Sequence, residues 1–259
     1  MSSSLLDQSD LAANAERLVA AARRAGADQA DALAVRAVSL SVDVRDGAVE
    51  ESQRAEGDDL GLRVLVGKRQ AVVSTNDLRA DGFTALAERA VAMARAAPED
   101  RFAGLADASL LAKEFPALDL LDPDIPAVGA LEALAREAEQ AGLAVAGVTK
   151  SGGASASAGI SGLVLVTSHG FSGTTIASRH GVAMTAIAGE GTGMERDYDF
   201  SSTLHASDLE PAEVIGRRAG ERSDPKLSSS WSARSSVPTI VRTACSSAPR
   251  HAGDGHPYR

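Results

Sequence analysis

Residues 61–78, GLRVLVGKRQAVVSTNDL, decide how this chain is to be read. Residues 60–66 and 69–75 are apolar-rich runs of strand length, separated by Gly67-Lys68, a two-residue turn signal. Asn76-Asp77 then leads into Phe83, Leu86, Ala87, Ala90, Val91 and Ala94, spaced for one face of a helix that ends before Pro98. Upstream, Val38, Leu40, Val42 and Val44 alternate with Ser39, Ser41 and Asp43, a half-buried strand with one wet face. Asp46-Gly47 marks a tight hairpin, because a type I′ turn needs positive φ at both central positions. Residues 49–56 form the returning strand, and their acidity predicts an edge or an exposed face. Leu11, Ala15, Leu18, Val19 and Ala22 stripe a preceding helix stopped by Gly26. The first unit is thus expected as α-β-β-β-β-α, an antiparallel sheet with helices over one face.

Residues 98–125 carry mixed signals, with prolines at 116, 123 and 126, and read as a crossing linker. Val128, Leu131, Leu134, Ala135 and Ala138 mark a helix stopped by Gly142. Strands are predicted over residues 143–149, 162–167, 174–178 and 182–188. Ser168-His169-Gly170 and His180-Gly181 supply turns, and the small-residue run at 151–162 reads as a flexible loop or hairpin tip. A short helix follows at 211–221, with Pro211 in its first turn. The fold class is α+β, with a first domain over 1–110 and a second α/β domain, rich in antiparallel strands, over 118–222.

Composition narrows the function. The 259 residues are 44% hydrophobic with eight aromatics, so the core rests on Ala, Val and Leu. A formal charge of −9 argues against a nucleic-acid surface and against adhesion to an anionic membrane. The one cysteine, Cys245, excludes an internal disulfide framework. With no basic segment leading into an apolar run at the N-terminus, the expected location is the cytoplasm. From residue 223 onward the chain has five basic and two acidic residues, nine serines and no glutamate, which reads as a polar tail.

Candidate chemistry is sparse. None of His169, His180, His205, His251 and His256 has a histidine four residues away, so no zinc-hydrolase helix is spelled. No G-x-S-x-G surrounds a serine, and Ser168-His169 is adjacent only in sequence. Arg63, a charge in an apolar strand, is either paired or poised for a peptide carboxylate. Glu195 and Asp197 alternate with Asp199 within GEGTGMERDYDF (189–200), which suits a cation or peptide amine, or ordinary wet surface.

Several blocks together resemble PmbA/TldE-type members of the TldD/PmbA metalloprotease-related family. They are residues 61–78, ERAVAMARAAPEDRFAGLAD (88–107), LDLLDPD (118–124), LAREAEQAGLAVAGVTKSGGASAS (134–157), TSHGFSGT (167–174) and AGEGTGMERDYDFSS (188–202). The resemblance implies a non-catalytic subunit that pairs with a TldD-type partner, whose HExxxH element carries zinc. This chain contains no HExxxH, so no catalytic or metal residue transfers and no cofactor is expected within it. The implied ligand is a peptide or an unfolded protein, with Arg63, Asn76, Asp77, Glu195 and Asp197 as candidate peptide or partner contacts. The same resemblance implies a third, mostly β domain after residue 222. The 37 residues from 223 leave the family register, as a shifted reading frame or truncated gene would make them. A protein-binding regulator of the gyrase-modulator type, or an inert fragment, is the alternative reading.

Overall fold

The computed structural model describes residues 7–223. The elements are α1 (Ser9–Arg24), β1 (Gln29–Arg45), β2 (Ala48–Val66), β3 (Arg69–Thr75), α2 (Phe83–Ala96), α3 (Val128–Leu143), β4 (Val148–Thr167), β5 (Ser172–Ala188), β6 (Glu195–Thr203) and α4 (Ala212–Ser223). The strands form one antiparallel sheet in the order β3-β2-β1-β4-β5-β6. β1 pairs with β4 from Asp31 opposite Thr167 to Val44 opposite Ala154, so the segments before and after the 98–125 linker share one sheet.

All four helices lie on one face. Strand side chains alternate between faces, and the even-numbered residues of β1 point to the helices. Ala30, Ala32 and Ala34 pack with Leu62, Val164, Leu18 and Val91 beneath α1 and α2. Further along, Leu40, Val42 and Val44 pack with Ala156, Leu131 and Ala135 beneath α3. α4 closes the β5–β6 end, with Ile215 against Met184 and Ala138. Alanine and glycine dominate these contacts, so helices sit close to the sheet and to one another. Fully buried leucines such as Leu18, Leu60 and Leu62 each contribute roughly 2–3 kcal/mol by leaving water.

The turns obey the expected local rules. Asp46 and Gly47 take φ of 51° and 74°, joining β1 to β2, and Gly67 takes 59° between β2 and β3. The strand lengths depart from expectation. Residues 49–56 and 60–66 are a single strand, β2, because Gly57, Asp58 and Asp59 continue the pairing opposite Ala37, Arg36 and Val35. Residues 151–162 are no loop but the middle of β4, where Ala154, Ala156, Ala158 and Ile160 face the helices and Ser155, Ser157, Gly159 and Ser161 face outward. His180-Gly181 is likewise strand, in β5, with His180 only 2% exposed. For residues 151–162 and for His180-Gly181, pairing on both sides overrides weak strand propensity. α4 runs through Ser223, while the rest of the expected polar tail, with Cys245, His251 and His256, lies outside the described residues.

Candidate functional site

β3 pairs only with residues 60–66 of β2, so residues 48–59 have β1 on one side and no strand on the other among the described residues. Side chains of residues 48–57 are all exposed. Unpaired backbone N–H and C=O groups along such an edge form a template for another extended chain. Over the same stretch the helix layer is open: α1 and α2 cover β1 up to Ala34, and α3 covers it from Leu40. The gap is a groove of about 910 Å³, with Val38 and Leu40 in its floor, residues 52–58 of β2 along one side, and residues 125–128 along the other.

Two polar devices fix the groove. At one end the Arg36 guanidinium grips two carboxylates, with Nε and Nη2 donating to Asp58 at 2.7 and 2.8 Å and Nη1 and Nη2 donating to Asp10 at 3.2 and 2.8 Å. The Arg36 donors hold the Asp10 carboxyl below its ordinary value, tying α1 to β1 and β2. At the other end Glu139 of α3 is 1% exposed and accepts from the Asp46 and Gly47 backbone amides, each at 2.8 Å, and from Ser151 Oγ at 2.5 Å. Arg136, one helical turn earlier, donates to the Gly47 carbonyl. The β1–β2 hairpin tip is therefore held by α3, and the free edge leaves it in a defined direction.

The linker has its own clamp. Ser178 N donates to Leu120 O at 2.9 Å, Asp122 N to Ser178 Oγ at 2.7 Å, and Ala206 N to Asp122 Oδ2 at 2.9 Å. His180 Nε2 lies 3.5 Å from Asp122 Oδ2, and His205 Nε2 lies 3.2 Å from the Asp119 carbonyl. Backbone amides of Ala206 and Asp124 hold the Asp122 carboxyl below its ordinary value, while the Asp119 carbonyl and nearby carboxylates raise His205. A lowered acid stabilises the clamp above its unfolded-state value and loses this as pH falls through the folded one. A raised histidine stabilises it below its unfolded-state value and loses this as pH rises through the folded one. Amide exchange at Ala206 should therefore be slowest between about pH 4 and about pH 6.5, the ordinary aspartate and histidine values, once corrected for intrinsic rates. A flat profile over that range would refute the clamp's dependence on these two groups.

The five residues singled out from sequence do not converge. Arg63 lies on the face away from the helices, paired bidentately with Asp31 at 3.1 and 2.5 Å. Asn76 and Asp77 follow β3, where Arg79 hydrogen bonds pull the Asp77 carboxyl down to about 2. Glu195 and Asp197 open β6, at the opposite edge of the sheet. Asp199, in line with them, is 6% exposed and bound by Arg218 and Arg222 of α4, each at 2.7 Å. The groove residues Arg36, Val38, Asp58 and Ile125 carried no motif. Their sequence signals were the apolar alternation that includes Val38 and the acidity of residues 49–56 nearby, which predicted an edge or an exposed face.

Among the described residues no three His, Cys, Asp or Glu side chains converge to hold a metal. No helix among them is long and apolar enough to cross a membrane.

An open-edged antiparallel sheet with helices on one face and a strand-lined groove defines an α+β scaffold. A profile for PmbA/TldA metallopeptidase domain 1 matches residues 30–94, and one for the PmbA/TldA metallopeptidase central domain matches residues 121–224. The metalloprotease PmbA of Escherichia coli O157:H7 is 32% identical over 203 residues, 78% of this chain and 45% of that protein. A PmbA homolog from Haemophilus influenzae is 28% identical over 221 residues, 85% of this chain and 49% of that one. This chain belongs to the PmbA/TldD metallopeptidase-related family, and it spans about half the length of the curated relatives it matches.

Two solved structures share the fold. A candidate modulator of DNA gyrase from Bacteroides thetaiotaomicron superposes with a TM-score of 0.73 at 24% identity, covering 82% of this chain and 48% of that one. TldE from Thermococcus kodakarensis superposes with a TM-score of 0.60 at 13% identity, covering 81% and 47%.

Proposed function

We propose that this chain is the non-catalytic, substrate-holding component of a TldD/TldE-type zinc-dependent peptidase. A TldD-type partner would carry the metal and the hydrolytic chemistry in the cytoplasm. The observation that carries this reading is the unpaired edge of β2 along the groove. An extended peptide added there would gain main-chain hydrogen bonds without much demand on its sequence, the grip expected of a component that receives unfolded or peptide substrates. The likeness to TldE from Thermococcus kodakarensis supports a TldD-type partner.

The test mixes the purified full chain with a TldD-type subunit and follows cleavage of an unstructured peptide. Cleavage should require both chains, and zinc measured on each should follow the partner. Cleavage by this chain alone, or one tightly held zinc per chain, would sink the proposal. Binding of peptide with no gain in cleavage on mixing would favour a protein-binding regulator instead.

A further inference from the structure

We infer that the β2 edge selects extended peptides in which apolar residues alternate with lysine or arginine; this rests on the strand-edge capture proposed above. The two sides of the edge differ in chemistry. The β1–β2 register sets Arg54, Glu56 and Asp58 opposite Leu40, Val38 and Arg36, so their side chains stand on the groove side. There the charges are answered within the chain: Arg36 holds Asp58, and Arg54 pairs with Glu56. What the groove offers an incoming residue is Val38 and Leu40 in the floor and Ile125, Pro126 and Val128 along the wall. Every second residue of an added strand enters this space and is best apolar.

The other side is acidic and unanswered. Glu51 and Asp59 stand on it, opposite Asp43 and Val35 of β1. Glu50 has Arg45 at 3.4 Å, but Glu51 and Asp59 have no cationic partner among the described residues. Glu51 also stands directly opposite Asp43 in the register, a like-charge cross-strand pair that costs stability until a cation comes between or beside them. The intervening residues of the added strand point to this side, where a lysine or arginine meets Glu51 at one end and Asp59 at the other. Their separation, eight strand positions or roughly 26 Å, sets the useful peptide length at about nine residues. Carboxylates that served only to keep copies of the chain from pairing edge to edge would capture no peptide at all.

The experiment measures anisotropy of labelled peptides of about nine residues, alternating Val–Lys, Val–Ser and Val–Glu, with the full chain. Val–Lys should bind about tenfold more tightly than Val–Ser at low salt, with Val–Glu weakest, and the ranking should flatten as salt screens the exposed charges. The double variant Glu51→Lys, Asp59→Lys should invert the order. The matched variant Glu16→Lys, Glu88→Lys, exposed on α1 and α2, makes the same change in net charge and should preserve it. Equal binding of all three peptides overturns the inference and leaves strand-edge capture standing. Binding of none overturns both. A lysine preference that survives Glu51→Lys, Asp59→Lys places the acidic surface elsewhere and also overturns it.

Discussion

Replacing Glu139 by alanine is expected to lower the unfolding free energy by about 3 kcal/mol, read as a shift in denaturant midpoint at unchanged slope. One carboxylate serves three donors from two distant segments, the Asp46 and Gly47 amides of the hairpin tip and the Ser151 hydroxyl at the start of β4. Hydrogen bonds to a charged acceptor contribute about 1.5–3 kcal/mol each. Burying the carboxylate at 1% exposure offsets much of that sum, and the two hairpin amides regain water when it is removed. Two local irregularities make the site sensitive. Asp46 holds a positive φ, and the register shifts nearby at Asp43/Val44 in β1–β2 and at Ser151/Gly153 in β4–β5. Glu139 spans these breaks in the ladder. Glutamine at this position keeps one accepting oxygen but turns an amide N–H₂ toward donors, so Glu139→Gln should recover less than half of the loss. Amide exchange at Gly47 gives the local readout. It should accelerate in both variants, and a Glu139→Ala protein with unchanged midpoint and unchanged Gly47 exchange would refute the lock.

That lock shows where sequence reasoning succeeds and where it stops. Asp46-Gly47 and Gly67 were legible because turn chemistry is local, and the stripes of α1, α2 and α3 because helix periodicity is local too. The antiparallel sheet with helices on one face followed from those two signals. The stretch 151–162 was not legible. Serine, glycine and alanine lack strand propensity, and only β1 and β5 on either side make this run the middle of a sheet. His180 failed for the same reason, since a histidine before a glycine looks like a turn until a partner strand buries it. Nothing in the spacing showed that β4 would lie beside β1, and that non-local pairing joins the two halves. The candidate site suffers most from this. Its groove arises where β3 ends short of β2 and where two helix layers part, and neither event leaves a motif. The chosen residues Arg63 and Asp77 were charged positions in conspicuous phrases, and both turn out to be occupied by Asp31 and Arg79.

The substitution Gly216→Ala should cost about 3 kcal/mol, although alanine is the better helix former. Helix propensity alone favours the change by up to about 1 kcal/mol. The opposing term is steric. A Cβ at Gly216 would stand 1.9 Å from the Ala138 carbonyl oxygen and 2.8 Å from its carbon, both backbone atoms of α3 that cannot rotate away. The same crowding continues along the contact, where a Cβ at Gly220 would meet the Gly142 carbonyl at 2.9 Å and one at Gly142 would meet Gly216 O at 3.1 Å. α3 and α4 therefore touch backbone to backbone, and one methyl forces the whole of α4 outward. Overpacking of this kind costs about 1–3 kcal/mol or more. Moving α4 also draws Ile215 from Met184 and pulls Arg218 and Arg222 from Asp199, leaving a carboxylate at 6% exposure without its cations. Gly129 is the control. It lies exposed in the first turn of α3, and a methyl added there would meet nothing within 4 Å. Gly129→Ala should accordingly be neutral or stabilise by up to about 1 kcal/mol. Equal midpoints for the two alanine variants would mean that α4 is not seated as tightly as the glycine contact requires. A loss confined to Gly216→Ala, with amide exchange rising in β6 as well as α4, is the expected result, because Asp199 ties that edge strand to the displaced helix.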